Sequence, residues 1–415
     1  MSRRIIIVGG GPVGLCIAAL LSDAARDASI TITLVDAREV PSWNITDPVD
    51  LRVYAISRAS QQILGAAGVW AQLSSMRVSA YEGMRIWEDA GGPQAHGGLH
   101  FDAAQVGEPD LGHIVEDRLL RASLFNLLPD DVEYLSGQQV ADLVSEPGGI
   151  RLLLDSGADL RASLVVGADG RNSAIRQLAG ISTTGWSYGQ QALVAHVATR
   201  ETHRRMAYQR FLADGPVALL PLADGRSSVV WSASEARIEG LLKMTDDEFC
   251  RALTEATCSV LGDVDSVTQR NTFPLQLRHA QRYVDHRLVL VGDAAHTVHP
   301  LAGQGANMGL LDAAALADVV ADGLGSGEDP GDRRLLRRYE RSRKGDNVRM
   351  MLALDGLHRL FGLPAAPFAP LRRAGLAMVN GAGPIKSLLI REALGLGRNR
   401  PRVAGITWPG RSLRG

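Results

Sequence analysis

The stretch Ile5-Ile6-Ile7-Val8-Gly9-Gly10-Gly11-Pro12-Val13-Gly14 decides the fold. Residues 5–8 form a continuous β-branched run, the pattern of a strand buried on both faces of a parallel sheet. Residues 13–21 are rich in Ala, Leu and Ile and predict a helix packed on that strand. Between them the chain fits G-x-G-x-x-G. Gly9 allows a tight turn, Gly11 lets the backbone approach a pyrophosphate, and Gly14 lets helix and strand lie close. Pro12 stands within the same turn, and the helix N-terminus behind it offers its positive dipole end to phosphates. Residues 30–35 alternate Ile and Thr before ending apolar, a second strand that closes at Asp36. That carboxylate stands 22 residues beyond Gly14, where it can accept hydrogen bonds from a ribose. Strand, turn, helix and acid together point to dinucleotide binding, without separating NAD from FAD.

A length of 415 residues exceeds one small core and suits two intimately joined domains. With 46% hydrophobic and 21% charged residues there is apolar material to bury and no signature of disorder. The 44 basic and 45 acidic residues leave a net charge of −1, so no nucleic-acid partner is expected. Cys16, Cys250 and Cys258 form neither an even framework nor a C-x-x-C pair. A reducing cytoplasm is the expected compartment, with Cys16 a small buried hydrophobe. Arg3 and Arg4 before an apolar run imitate a signal peptide. Against secretion, the glycines and Pro12 interrupt that run, and Asp23 and Arg26 follow on the same helix. No stretch approaches the roughly 20 apolar residues of a spanning helix.

Residues 57–68 predict a helix with Ser57 or Ser60 near its start and Gly68 past its end. Short strands are expected at 84–87 and 99–101, a helix at 116–128, and strands at 139–144, 150–154 and 164–167. Residues 190–233 change character: short alternating segments separated by Gly, Asp or Pro predict an antiparallel sheet in a second domain. A helix follows at 245–257, a buried strand at 288–291, and a long Ala/Leu-rich helix over 305–324. Beyond Asp332 the pattern is wholly helical, with breaks at Pro364, Pro367, Pro370 and Pro384.

Two further strand ends carry a glycine and a carboxylate. Leu164-Val165-Val166-Gly167-Ala168-Asp169-Gly170 is followed by Arg171, Asn172, Ser173 and Arg176; Val289-Leu290-Val291-Gly292-Asp293-Ala294-Ala295-His296 repeats the pattern. A ligand with a ribityl arm and a second ribose needs such positions, because a carboxylate binds hydroxyls and glycine permits close backbone approach. Three more segments are Asp50-Leu51-Arg52-Val53-Tyr54-Ala55-Ile56-Ser57, Val115-Glu116-Asp117-Arg118, and His296-Thr297-Val298-His299-Pro300-Leu301-Ala302-Gly303-Gln304-Gly305-Ala306-Asn307-Met308-Gly309-Leu310. On these residues the chain resembles the para-hydroxybenzoate-hydroxylase-like FAD-dependent monooxygenases. More narrowly it resembles the ubiquinone-biosynthesis aromatic-ring hydroxylases. The similarity runs from the first strand to the last helices, where residues 375–380 and 384–386 also fit.

The resemblance implies that Gly9, Gly11 and Gly14, with Pro12 in the same turn, hold the pyrophosphate of FAD, and Asp36 the adenosine ribose. It implies that Arg52 and Arg118 lie along the FAD near its phosphates and ribityl chain. Asp169 belongs to a motif associated with both FAD and the nicotinamide coenzyme, and Asp293 binds the ribityl or pyrophosphate region. The loop with Pro300, Gly303, Gly305 and Asn307 passes the isoalloxazine ring, and its helix turns N–H groups to the flavin pyrimidine. A helix N-terminus there stabilises the anion of reduced flavin. No second G-x-G-x-x-G supplies a separate nicotinamide domain, which favours transient docking of NAD(P)H as co-substrate. The expected chemistry is hydride transfer to FAD, reaction with dioxygen, and attack on an electron-rich ring in a pocket that excludes water.

The expected fold class is therefore α/β. A Rossmann-like FAD-binding domain (1–75, 105–180 and 270–330) is interleaved with a smaller mixed β-sheet substrate domain (76–104 and 181–269), and a C-terminal helical region (331–415) follows. The expected substrate is a hydrophobic aromatic small molecule. A peripheral contact with the inner membrane, a homodimer and a multiprotein biosynthetic complex stay open. So do hydroxylation of another aromatic metabolite and a non-hydroxylating redox or assembly role. No catalytic base stands out. His296 and His299 are spaced H-x-x-H without an accompanying Cys or carboxylate set, so no metal site is expected; they read as flavin-loop residues, with a proton relay as the alternative. Trp186, Tyr188 and Trp231 read as core aromatics or pocket walls. The basic run from Arg337 to Lys344 reads as a solvated helix face. Met350, Met351, Leu352, Leu354, Leu357, Leu360 and Phe361 read as core, or in part as an exposed face suited to a membrane-resident substrate.

Overall fold

The computed structural model describes residues 3–88, 92, 98–299, 303–363, 365–397 and 400–405. The β-branched run forms the strand Arg4–Val8, third from one end of a six-stranded sheet. The order is Val132–Ser136, Thr31–Asp36, Arg4–Val8, Leu164–Gly167, Leu288–Leu290, Val284–Asp285. All neighbours pair in parallel except the edge pair of Leu288–Leu290 with Val284–Asp285. Central parallel strands are covered on both faces and so need apolar side chains at successive positions. Ile5, Ile6, Ile7, Leu164, Val165 and Val166 meet that need, all fully buried. The helices Pro12–Asp27 and Gln304–Gly325 pack on each other beside this sheet. A three-stranded antiparallel sheet, Val140–Glu146, Gly149–Leu154 and Asp159–Ala162, adds Ile150, Leu152 and Leu154 to the same core.

The second large sheet has nine strands. Its path runs His296–Thr297, Asn271–Ala280, Thr183–Thr199, Ser227–Ser234, Gly215–Pro221, Met206–Leu212, Gly83–Trp87, Leu99–Asp102, with Val264–Val267 paired to Thr183–Thr199. It is mixed: Met206–Leu212 runs parallel to Gly83–Trp87 while its other pairs are antiparallel. Leu193, Val217, Val229, Trp231 and Phe249 give it a core of its own, closed in part by the helix Asp246–Ala256. That helix begins at a capping box of Thr245 and Glu248, which satisfies two backbone N–H groups reciprocally. A small sheet of Val53–Ser57, Gly112–Glu116 and Ser79–Tyr81 completes the strands.

Three local expectations are corrected. The first of the short segments expected within 190–233 belongs to one 17-residue strand, Thr183–Thr199, whose register slips between Ser187 and Gln191. That irregularity breaks the alternation a sequence pattern depends on. Pro367 and Pro370 do not break a helix, because both lie within Ala365–Gly381. Pro367 is in the first turn, where its missing N–H has no intrahelical acceptor. Pro384 opens the helix Gly383–Ala393, and Pro364 lies outside the described residues. The strand Asn271–Ala280, expected with the dinucleotide-binding residues, pairs in the nine-stranded sheet. No described helix is long and apolar enough to cross a membrane.

Candidate functional site

The glycine turn is dictated by contact. Gly9 has φ +113°, and a Cβ there would stand 2.4 Å from the Ala168 carbonyl oxygen. A Cβ on Gly14 would lie 2.0 Å from the Gly9 carbonyl oxygen, so only glycine seats the first helical turn on the strand. Gly11 differs. Its nearest neighbour would be the Arg38 guanidinium at 3.9 Å, which leaves space beside the helix N-terminus where Pro12 takes the first position. Gly10 carries a constraint the motif does not advertise: its Cβ would meet the Asp36 carboxylate at 2.3 Å and the Tyr134 hydroxyl at 2.5 Å.

Asp36 ends its strand buried against this turn. It accepts from the Arg38 backbone N–H and guanidinium, both at 3.2 Å, and from the Tyr134 hydroxyl at 3.5 Å. Arg121 donates to the Gly10 carbonyl at 3.0 Å and brings Nη2 to 3.7 Å from Asp36. That nitrogen is buried and has no hydrogen-bond partner among the described residues. Arg118, expected beside the cofactor, is half-exposed: it donates to the Pro48 carbonyl at 3.3 Å and lies 3.8 Å from Asp47 and 3.9 Å from Asp50. Arg121 was legible in principle. It shares the buried stripe of Asp117, Leu120 and Leu124 on the helix Asp117–Asn126, and an arginine so placed needs buried partners.

At the other end of the glycine turn, the Arg52 guanidinium lies over the Tyr54 ring at 5.3 Å, with the charges of Asp117, Asp293 and Asp50 around it. Tyr54 donates to Asp117 at 2.6 Å. Asp293 sits in the turn Gly292–Ala294. Burial raises its carboxyl pKa against the pull of His296, Arg52 and Arg171. Asp169 accepts from the Ile175 N–H at 3.1 Å, while its other oxygen is buried without a partner. Its carboxyl pKa is likewise raised by burial.

The helix Gln304–Gly325 starts after Gly303, whose φ of +61° is left-handed. No side chain among the described residues caps its first turn, and Gly305 would bring a Cβ no nearer than 3.9 Å to Val298. Asn307 was expected at the cofactor, but its amide is spent as a clamp. It accepts from the Ser57 N–H at 2.9 Å and donates to the Ala55 and Gly303 carbonyls at 2.8 and 3.2 Å. Pro300 lies outside the described residues.

The same helix carries Asp312, which no motif marked. Fully buried, it accepts from the Gly292 N–H (3.1 Å), His296 Nε2 (2.6 Å), Arg343 Nε (2.8 Å) and Asn347 Nδ2 (3.0 Å). Burial alone would raise its carboxyl pKa, yet His296 and Arg343 hold it well below the usual carboxylate range. Arg343 therefore corrects the expected solvated face. Arg337, Arg338 and Arg341 are exposed, whereas Tyr339 and Arg343 point inward on the 30-residue helix Arg333–Gly362. The signal was the fourfold spacing of Leu335, Tyr339, Arg343 and Asn347, one face of a helix.

The aromatic candidates separate. Trp231 is core, Trp186 is exposed beneath the Arg359 guanidinium at 5.0 Å, and Tyr188 packs on His299. His299 is 1% exposed, and burial, with the neighbouring His358, pushes its pKa down to about 3. An unfolded histidine titrates near pH ~6.5, so between these values the unfolded chain binds the extra proton. Stability is therefore expected to fall as pH drops below about 6.5. Urea unfolding between pH 7 and 4 should show a contribution of at most about 1.4 kcal/mol per pH unit from this residue, absent in His299→Leu.

An open glycine turn, a buried Asp169 oxygen and a buried Arg121 nitrogen without hydrogen-bond partners among the described residues, and a helix N-terminus without a described side-chain cap lie around a Rossmann-like sheet, and together they fit a bound dinucleotide. These features define a dinucleotide-binding protein. The chain belongs to the FAD binding domain family, which matches residues 3–351. It is similar to the ubiquinone hydroxylase UbiL of Rhodospirillum rubrum, 38% identical over 96% of this chain and 92% of the relative. It is 36% identical to the 3-demethoxyubiquinol 3-hydroxylase of Escherichia coli, over 95% and 98% of the two chains. It is 32% identical to the mitochondrial ubiquinone biosynthesis monooxygenase COQ6 of Rattus norvegicus, over 94% and 90%. The fold is that of the p-nitrophenol 4-monooxygenase PnpA from Pseudomonas putida, with a TM-score of 0.75 at 18% identity over 97% of this chain and 100% of that one.

Proposed function

We propose that this chain is an FAD-dependent monooxygenase that hydroxylates the aromatic ring of a polyprenylated phenol or quinol in ubiquinone biosynthesis, with NAD(P)H and dioxygen as co-substrates. The observation that carries this reading is similarity to ring-modifying enzymes of ubiquinone synthesis over 94–96% of the chain. Gly9, Gly11, Pro12 and Gly14 hold the pyrophosphate at the N-terminus of Pro12–Asp27. Asp36 and Arg121 take the adenosine end; Arg52, Arg118 and Asp293 take the phosphates and the ribityl hydroxyls, with Asp169 behind them. Gly303 and Gly305 leave room for a flat ring, and the first turn of Gln304–Gly325 stabilises negative charge on it. FAD would supply the electron transfer and oxygen activation; the chain supplies position and charge.

The substrate's prenyl chain favours a peripheral position at the inner membrane. Leu352, Leu357, Leu360, Phe368, Met378 and Leu388 are exposed along the C-terminal helices, an apolar surface suited to lipid. A homodimer or a biosynthetic complex would cover the same side chains.

Asp293→Ala is expected to weaken FAD binding roughly ten- to hundredfold, the worth of a hydrogen bond to a charged group. Flavin fluorescence titration of the refolded apoprotein measures it. The function itself is tested by NAD(P)H oxidation in air with a short-chain prenylated phenol. Faster oxidation and a product one oxygen heavier are expected. Acceleration by unprenylated phenols alone would assign another aromatic metabolite, and oxidation indifferent to every phenol would leave a non-hydroxylating flavoprotein.

A further inference from the structure

His299 is the buried histidine the rest of the fold does not use. Among the described residues His196, His203, His279 and His296 each set a ring nitrogen against a protein oxygen at 2.6–3.1 Å. His299 is 1% exposed, and neither Nδ1 nor Nε2 has a hydrogen-bond partner among the described residues. A neutral imidazole carries one donor and one acceptor, and buried polar atoms are normally satisfied, so two orphaned nitrogens on one ring indicate a missing ligand.

Its surroundings specify that ligand. The ring is held edge-on by Tyr188, with centroids 5.1 Å apart, and flanked by His358 at 4.7 Å. The Tyr188 hydroxyl donates to Asp355 at 3.0 Å, and Asp355 also accepts from Arg359 at 2.7 Å. Val298, next in the chain, packs into two apolar clusters, one around Met308 and Met351 and the other around Phe211 and Phe361. His299 also stands six residues after Asp293 and four before Gly303, between groups assigned above to the cofactor. Apolar and aromatic walls around two imidazoles, of which His299 has both ring nitrogens unpartnered, suit an aromatic ligand bearing a hydroxyl.

We infer that His299 is the hydrogen-bonding partner of the hydroxyl on the aromatic substrate, and that this bond sets which ring carbon faces the cofactor. The inference rests on the hydroxylase reading and names the residue through which that site recognises its substrate.

FAD-loaded wild type, His299→Leu and His299→Gln are titrated with 2-geranylphenol and with its methyl ether, following the perturbation of flavin absorbance. Wild type is expected to bind the phenol at least about tenfold more tightly than the ether, the worth of one buried hydrogen bond. His299→Leu binds the two alike, and His299→Gln, which keeps a donor and an acceptor, recovers part of the preference. A merely structural role would weaken both ligands equally and leave their ratio unchanged. A His299→Leu protein that keeps the tenfold preference overturns the inference while the hydroxylase reading stands. Equal binding of the two ligands by wild type does the same. If neither ligand perturbs the wild-type flavin, the hydroxylase reading fails and the inference falls with it.

Discussion

Asp312→Ala is expected to cost about 3–5 kcal/mol of stability, the range for removing one partner from a buried ion pair. Arg343 and His296 would remain buried with their shared carboxylate gone, and the Gly292 N–H would lose its acceptor. The loss reaches the cofactor region because Gly292 precedes Asp293, so FAD retention should fall with stability. Urea unfolding at pH 7 followed by circular dichroism measures it; a loss under about 1 kcal/mol would contradict the role assigned to this hub. The sign with pH is fixed. The Asp312 pKa is depressed in the fold, so its contribution is complete above the unfolded value of about 3.9 and is lost as pH falls below it. Wild type and variant should therefore converge in acid.

Gly14→Ala is the second large effect. Its methyl carbon would lie 2.0 Å from the Gly9 carbonyl oxygen, and the obstacle is backbone that cannot rotate aside. Helix and strand must separate, at about 2–3 kcal/mol for overpacking of this kind, and the phosphate turn distorts with them. Protein purified from this variant should be colourless. Gly11→Ala is the control, because its Cβ finds nothing nearer than 3.9 Å in the chain. It should fold with wild-type stability and lose only cofactor affinity. Equal stability loss in both variants would show that the turn is a packing feature alone.

Why the sequence revealed the turn and not the hub is a matter of range. The strand Arg4–Val8, the helix Pro12–Asp27 and Asp36 are set by neighbours within one βαβ unit, where β-branched runs and glycine spacing carry the information. Asp312 and Arg343 meet across two helices 31 residues apart, and each looks like an ordinary surface charge until the helices are packed. Arg121 shows the same limit at short range: a motif marked Arg118 on this helix, but only the fold shows Arg121 buried against Gly10. Asn307 adds a structural bond that its motif does not announce, its amide tying the loop to Ala55 and Ser57. Thr183–Thr199 escaped because a slip of register breaks the alternation that marks a strand.

The central claim is ring hydroxylation in ubiquinone synthesis, and mass spectrometry of the quinone pool in cells lacking this protein tests it most directly. The account predicts accumulation of a prenylated intermediate one ring oxygen short, restored to ubiquinone by the wild-type chain. An unchanged pool in cells that possess no second ring hydroxylase would contradict it.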